Sequence, residues 1–345
     1  VRGEWDAVLR LRDACLAATE ETGRQLWGPA RFAAYRVALD APAELAAAML
    51  EPGVVRFGLG PLTEVVAQHH GFAELAPHLD SSLLAVVAQE RVLRGEDLRD
   101  DRDAVAALAD SGIEVPLVLQ PFEPAYTLSE YRADTRVDGG FLLPDEGWTW
   151  LTDAASGSLT EVRGDGPGRR AAAVARVLHD VVEPWLSGSD GLVELVTVHG
   201  GADDAAHALH RRLAQVHGDE GLERRPIAAA QLLGLVAFAA ASGGVHGRRR
   251  GAAAGRASAW WLARTATGLD DEAGLDQRLI DELEFRLEDL ELVALRSPRD
   301  AAWRLELAIA DPAVGWAVAV AAFDLTDGDA AASDAGIGQE PHDVH

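Results

Sequence analysis

Between Arg224 and Leu269 the chain carries neither Asp nor Glu, although 56 acids in 345 residues would place about seven there by chance. So long an acid-free stretch belongs where a negative charge would be costly, and its composition says where. Residues 227–241, IAAAQLLGLVAFAAA, are apolar around the whole helical turn, which is the pattern of a helix buried on every side. Gln231 and Gly234 interrupt the run, and it falls short of the roughly 20 apolar residues that a membrane crossing needs, so it reads as a core helix. Residues 251–269 give a second helix, of small residues and tryptophan. The two are joined by the basic turn GGVHGRRRG at residues 243–251. The rest of the chain has to build a core around this pair.

A chain of 345 residues can bury a large core, as one big domain or two ordinary ones. Its formal net charge of −25 argues against broad binding to nucleic acid or to an anionic membrane, because the summed field repels a polyanion. All 31 basic residues are Arg, and Ala, Gly and Val dominate the apolar set, which fits high-GC codon usage rather than phosphate chemistry. A lone Cys15 excludes a disulfide framework and any multi-cysteine metal site, and within its helix it reads as an inert small residue. The opening VRGEWDAVLRLRD carries acids and no apolar run, so no secretory signal is expected and a cytoplasmic location is.

Along the chain, helices are expected at residues 5–25, closing near Gly23, and then from Pro29, at 42–50, at 61–70 and at 81–93, the last with Asp80 as N-cap. The acidic run EDLRDDRD, residues 96–103, reads as a solvated loop. Residues 115–119, bounded by Pro116 and Pro121, make an edge strand at best, and GWTWLT at 147–152 alternates as a strand. Residues 153–168 are the linker candidate. A helix follows at 169–185, then a strand at 192–198, the turn His199-Gly200-Gly201 and a helix at 202–216. Strands at 291–295 and 303–309 pair as a hairpin, Asp311-Pro312 is read as the start of a helix over 313–323, and residues 327–345 are expected to be disordered. The expected fold is α+β and predominantly helical: a helical N-terminal third, a few short strands in the remainder and a disordered C-terminal tail. The organisation follows as a helical region at 1–152, a mixed region at 169–326 around the apolar helix pair, and the tail.

The strings ARFAAYRVALDAPAELAAAML, LGPLTEV, ERVLRGEDLR, LQPFEPAYTLSEYRAD, SGGVHGRRRGAAAGR and WRLELAIADPAVGWAVA are similar to those of an uncharacterised protein family of high-GC Gram-positive bacteria. The resemblance covers nearly all of the chain except the tail. It implies a soluble bacterial protein and brings no catalytic residue with it.

Two sets of residues are candidates for chemistry. The first is the basic turn itself, His246, Gly247, Arg248, Arg249, Arg250 and Gly251. It feeds a helix start whose free amides and dipole favour a small anion. It lacks the Gly-Lys-Ser/Thr ending of a P-loop, and Gly251, Gly255 and Ala259 serve equally as a small-residue stripe for close helix packing. The second is His199, Asp203, His207 and His210, of which the last three fall on one helix face at a spacing that could hold zinc or iron. The same spacing arises on a solvated helix face, and that reading is preferred. Glu123, Tyr126, Glu130, Tyr131 and Arg132 lie in a Pro-rich loop that could be a protein-binding edge or be packed on the core through Phe122 and Tyr126. No G-x-S-x-G or H-E-x-x-H occurs, and no catalytic residue or cofactor is assigned. The expected role is a binding or interaction protein, with a protein partner or a small anion as ligand. The alternative is an enzyme or ligand-binding protein using the basic turn for an anion or the histidine set for a metal.

Overall fold

The first third of the chain folds as helix upon helix. The computed structural model describes residues 4–50, 61–124, 126, 143–144, 146–151, 167–217, 221–245, 249–272, 274–298 and 303–324. Helices α1 (Trp5–Thr22), α2 (Trp27–Asp40), α3 (Ala43–Ala47), α4 (Leu62–His69), α5 (Phe72–Leu75), α6 (Ser81–Val92) and α7 (Arg102–Ser111) follow one another; α2 to α7 enclose an apolar cluster that includes Phe72, Leu75, Val87 and Val92, and α1 packs through Trp5, Val8 and Leu9 on Val37, Ala41 and Met49. Their ends are set locally. Gly23, at φ 67°, closes α1 with its N–H 3.0 Å from the Thr19 carbonyl, and Asp80 accepts from the Leu83 N–H at 2.9 Å to open α6. Asp101 caps α7 in the same way, so the acidic run that reads as a loop ends inside a helix start. Acids there favour the positive end of the helix dipole.

The remainder is built on one antiparallel sheet. Its strands are β1 (Thr149–Trp150), β2 (Gly191–Val198), β3 (Glu223–Pro226), β4 (Glu291–Arg296), β5 (Trp303–Asp311) and β6 (Trp316–Asp324), in the order β1-β3-β4-β5-β6-β2. Helices α8 (Pro167–Gly188), α10 (Ala229–Ala241), α11 (Ala252–Thr267) and α12 (Gln277–Glu288) cover one face, and α9 (Ala202–His217) covers the other. The fold is α+β and mostly helical. No helix among the described residues is long and apolar enough to cross a membrane.

The centre of the sheet corrects the expected helix at 313–323. Asp311 and Pro312 begin a turn, with Asp311 Oδ1 accepting from the Val314 N–H at 3.0 Å and the Gly315 N–H reaching the Asp311 carbonyl at 2.7 Å. Gly315 at φ 86° then reverses the chain into β6. Trp316, Val318 and Val320 face the four-helix side, whereas Ala317, Ala319 and Ala321 face α9. The period is two, and the strand is apolar throughout because both faces of the sheet are covered. Residues 115–119 join no strand. Their carbonyls are held instead by the Gln89 side chain at Val115 (3.4 Å), by Arg256 at Pro116 (2.8 Å) and Val118 (3.0 Å), and by the Leu98 N–H at Leu117 (2.8 Å). Strand β3 and helix α12 lie in stretches to which the sequence reading assigned no element.

The α10–α11 pair packs as its small residues require. A Cβ on Gly255 would collide with the Ala237 carbonyl and stand 2.9 Å from the Ala241 methyl, so only glycine lets the two helices come this close. The large core also takes in Val115 and Leu143, and β1 is hydrogen-bonded into the sheet, so parts of the first 152 residues belong to the sheet-centred body. The tail at 327–345 and nearly all of the linker candidate lie outside the described residues, while Pro167 and Gly168 open α8.

Candidate functional site

The basic turn comes out of α10 under strong constraint. Trp185 Nε1 donates to Ser242 Oγ at 2.9 Å, Ser242 Oγ donates to the Ala239 carbonyl at 3.0 Å, and the Val245 N–H donates to Asp324, a wholly buried carboxylate at the end of β6. His246, Gly247 and Arg248 lie outside the described residues. Beyond them the Arg250 N–H returns to the Ala241 carbonyl at 2.8 Å, and Gly251 enters α11 at φ 98°. A Cβ on Gly251 would sit 2.7 Å from Pro61 Cγ, which makes glycine necessary here on two counts.

The N-terminus of α11 does hold negative charge, and it comes from the chain itself. Glu64 of α4 accepts from the Ala252 N–H at 2.8 Å, and Glu90 of α6 accepts from the Ala253 N–H at 2.9 Å. Arg249 lies 3.0 Å from Glu64, and Arg94 lies 2.8 Å from Glu90. Both acids are buried, at 5% and 1% exposure. Burial, with the neighbouring Glu64 charge second, lifts the Glu90 carboxyl to about 7 against the pull of Arg94 and the Ala253 N–H. A carboxyl held near neutrality resembles an acid–base group. Here, however, its oxygens are engaged by an amide and a guanidinium, and the arrangement locks α4 and α6 onto the start of α11.

One turn further along α11, Arg256 is completely buried and all of its donors are used. Nε and Nη2 reach Glu123 at 2.8 and 2.6 Å, Nη1 reaches Gln89 at 2.6 Å and the Pro116 carbonyl at 2.8 Å, and Nη2 also reaches the Val118 carbonyl at 3.0 Å. Glu123 also accepts from Trp260 Nε1 at 2.9 Å, the Tyr126 hydroxyl at 2.8 Å and the Gln120 N–H at 3.0 Å. Burial pushes its carboxyl up, but these bonds, led by Arg256, leave it below the ordinary value. The start of the Pro-rich loop is therefore packed on the core by Phe122 and Tyr126; Glu130, Tyr131 and Arg132 lie outside the described residues.

The histidine set is spread over separate contacts. His199 Nδ1 is 3.0 Å from the Gly315 carbonyl, and His207 Nδ1 is 2.6 Å from the Asp203 carbonyl one turn earlier in α9. Arg224 on β3 pairs with the Asp203 carboxylate at 2.6 Å. His210 follows one turn beyond His207 on the same helix. Among the described residues no three His, Cys, Asp or Glu side chains are grouped so as to hold a metal ion.

A surface cleft of about 860 Å³, absent from the residues expected to carry chemistry, lies between the start of α8, the ends of α11 and α12 and the β5–β6 turn. Arg169, Arg170 and Arg176 line it from α8, and Arg286 lines it from α12. Two of these arginines cap the end of α11. Arg170 donates to the Thr265 carbonyl and to Asp270, both at 2.6 Å, and Arg286 donates to the Thr267 carbonyl at 2.9 Å and to Glu282 at 2.6 Å. Arg169 and Arg176 are exposed and have no ion pair or hydrogen bond to another described residue. Asp271, just past α11, and Asp289, at the end of α12, also line it and likewise have no partner among the described residues, whereas Asp311 is used in the β5–β6 turn. One signal was legible: Arg169, Ala173 and Arg176 fall at i, i+4 and i+7 on a single helix face.

No match to the chain was found among curated proteins or among solved structures. Residues 1–324, which include every helix and strand described above, match the family of unknown function DUF6183, and the chain belongs to that family.

Proposed function

We propose that this protein is a non-catalytic binding protein whose ligand, a small polar molecule, sits in the cleft between α8, α11, α12 and the β5–β6 turn. One observation carries the reading. The buried charges at Glu64, Glu90, Glu123 and Arg256 are consumed by internal bonds, whereas the cleft keeps Arg169, Arg176, Asp271 and Asp289 uncommitted among the described residues. Its volume of about 860 Å³ lies in the range of small-molecule sites. The basic turn is a weaker choice, because the first amides of α11 already hold Glu64 and Glu90. Lysine-free, arginine- and alanine-rich composition supports a high-GC bacterial source, and the single cysteine supports the cytoplasm.

Thermal shift against a panel of phosphorylated, carboxylate and zwitterionic metabolites tests the reading, since a ligand at about 100 times its Kd adds roughly 2.7 kcal/mol. Ala173→Trp fills the cleft from α8 without altering a charge. Ligands that raise the melting temperature of the native protein should lose that effect in this variant. An empty panel, or hits that survive Ala173→Trp, would sink the proposal.

A further inference from the structure

The cleft carries charges of both signs on different elements, and the geometry points to a ligand that is a small zwitterion; this inference rests on the cleft being the binding site. The α8 side is positive. It presents the first turns of a 22-residue helix, the positive end of the helix dipole, together with Arg169 and Arg176. The α11–α12 side is negative. There α11 ends at Gly268, its last carbonyls held by Arg170 and Arg286, α12 ends at Asp289, and Asp271 and Asp289 line the cleft beside these ends.

What each charge is already doing separates a ligand site from an ordinary salted surface. Arg170 and Arg286 are spent on the α11 carbonyls, Asp270 is spent on Arg170, and Asp311 is spent on its own turn. What remains is balanced: two arginines on one side and two aspartates on the other, with no partners among the described residues. A plain anion would satisfy the arginines but meet repulsion from Asp271, Asp289 and the end of α12. A plain cation meets the reverse. A molecule with a carboxylate at one end and an ammonium at the other satisfies both sides, and within a protein of net charge −25 it approaches without the long-range repulsion that a free anion feels. The carboxylate takes the guanidinium fork of Arg169 or Arg176, and the ammonium takes the two aspartate carboxylates.

Three matched probes read this directly by isothermal titration calorimetry on the full chain: alanyl-alanine, its N-acetyl derivative, which keeps only the carboxylate, and its C-terminal amide, which keeps only the ammonium. The dipeptide should bind, and each single-charge probe should bind about tenfold or more weakly, as expected for losing one charged hydrogen-bonding end. Arg169→Gln with Arg176→Gln should weaken the dipeptide and the N-acetyl probe but not the amide. Asp271→Asn with Asp289→Asn should weaken the dipeptide and the amide but not the N-acetyl probe. All four side chains are exposed, so unchanged melting temperatures should certify the variants. If the N-acetyl probe binds as well as the dipeptide and the aspartate variant changes nothing, the ligand is a simple anion; the zwitterion inference then fails while the cleft reading stands. If all three probes are silent but a singly charged metabolite gives a shift that Ala173→Trp abolishes, the outcome is the same. Silence from the probes and the metabolite panel alike overturns both.

Discussion

Arg256 of α11 and Glu123 of the segment after α7 face each other as a fork on a carboxylate, with Nε–Oε2 at 2.8 Å, Nη2–Oε1 at 2.6 Å and both side chains wholly buried. They lie 133 positions apart in the chain, and their contact fixes the loop at 115–123, which runs without a strand, against the central helix. Arginine suits this place because its five N–H donors form a rigid plane, which a lysine ammonium lacks.

The two sides of that pair should not lose stability independently. Arg256→Met leaves a buried carboxylate without its counter-charge and should cost about 3–5 kcal/mol, while Arg256→Met with Glu123→Leu should cost less than the sum of the two single substitutions, although Trp260, Tyr126 and Gln120 then lose their acceptor. Urea denaturation of the double variant and both single variants measures the difference. A double variant as unstable as the sum of its single substitutions would show that the pair is not coupled.

Glu90 gives a pH signature. Its folded-state pKa, about 7, stands above the unfolded value of 4.5, so folding takes up a proton between the two. Stability from this group is therefore greatest at and below the unfolded pKa and declines as pH rises through about 7. Glu90→Gln mimics the neutral form and keeps an oxygen for the Ala253 N–H. The variant should gain on the native protein between pH 5 and pH 8, by about 1–3 kcal/mol. Denaturant titrations at the two pH values check it, and a stability difference that does not change with pH would refute it.

Gly255→Ala should destabilise although alanine is the better helix former. The gain of about 1 kcal/mol in helix propensity is outweighed by the collision with the Ala237 carbonyl, for which overpacking costs of about 1–3 kcal/mol or more are usual. A rise in melting temperature would mean that α10 and α11 can separate without loss.

The four cleft arginines should divide into two classes. Arg170→Gln and Arg286→Gln remove caps from α11 and should each lower stability by about 1 kcal/mol, discounted for partial exposure. Arg169→Gln and Arg176→Gln should leave it unchanged within about 0.5 kcal/mol, as ordinary surface substitutions do. Equal losses for all four would remove the distinction between structural and uncommitted arginines on which the cleft assignment rests.

What the sequence determined by itself is what neighbours along the chain decide. Asp80 and Gly23 mark helix ends because a cap bonds within three or four residues, and the acid-free stretch marks a buried helix pair because apolar periodicity is a local property. The alternation of Trp316, Val318 and Val320 with alanines was present in the same sense. It was masked because Asp-Pro opens a turn as readily as a helix, and because alanine suits both states. Only the tertiary structure could decide which acids meet the start of α11, because Glu64 and Glu90 arrive from 188 and 163 positions away and nothing near Ala252 announces them. The cleft is of the same kind. Arg170 and Arg176 look alike in the sequence, and it is the approach of the α11 carbonyls, fixed by packing, that occupies one and leaves the other without a partner among the described residues.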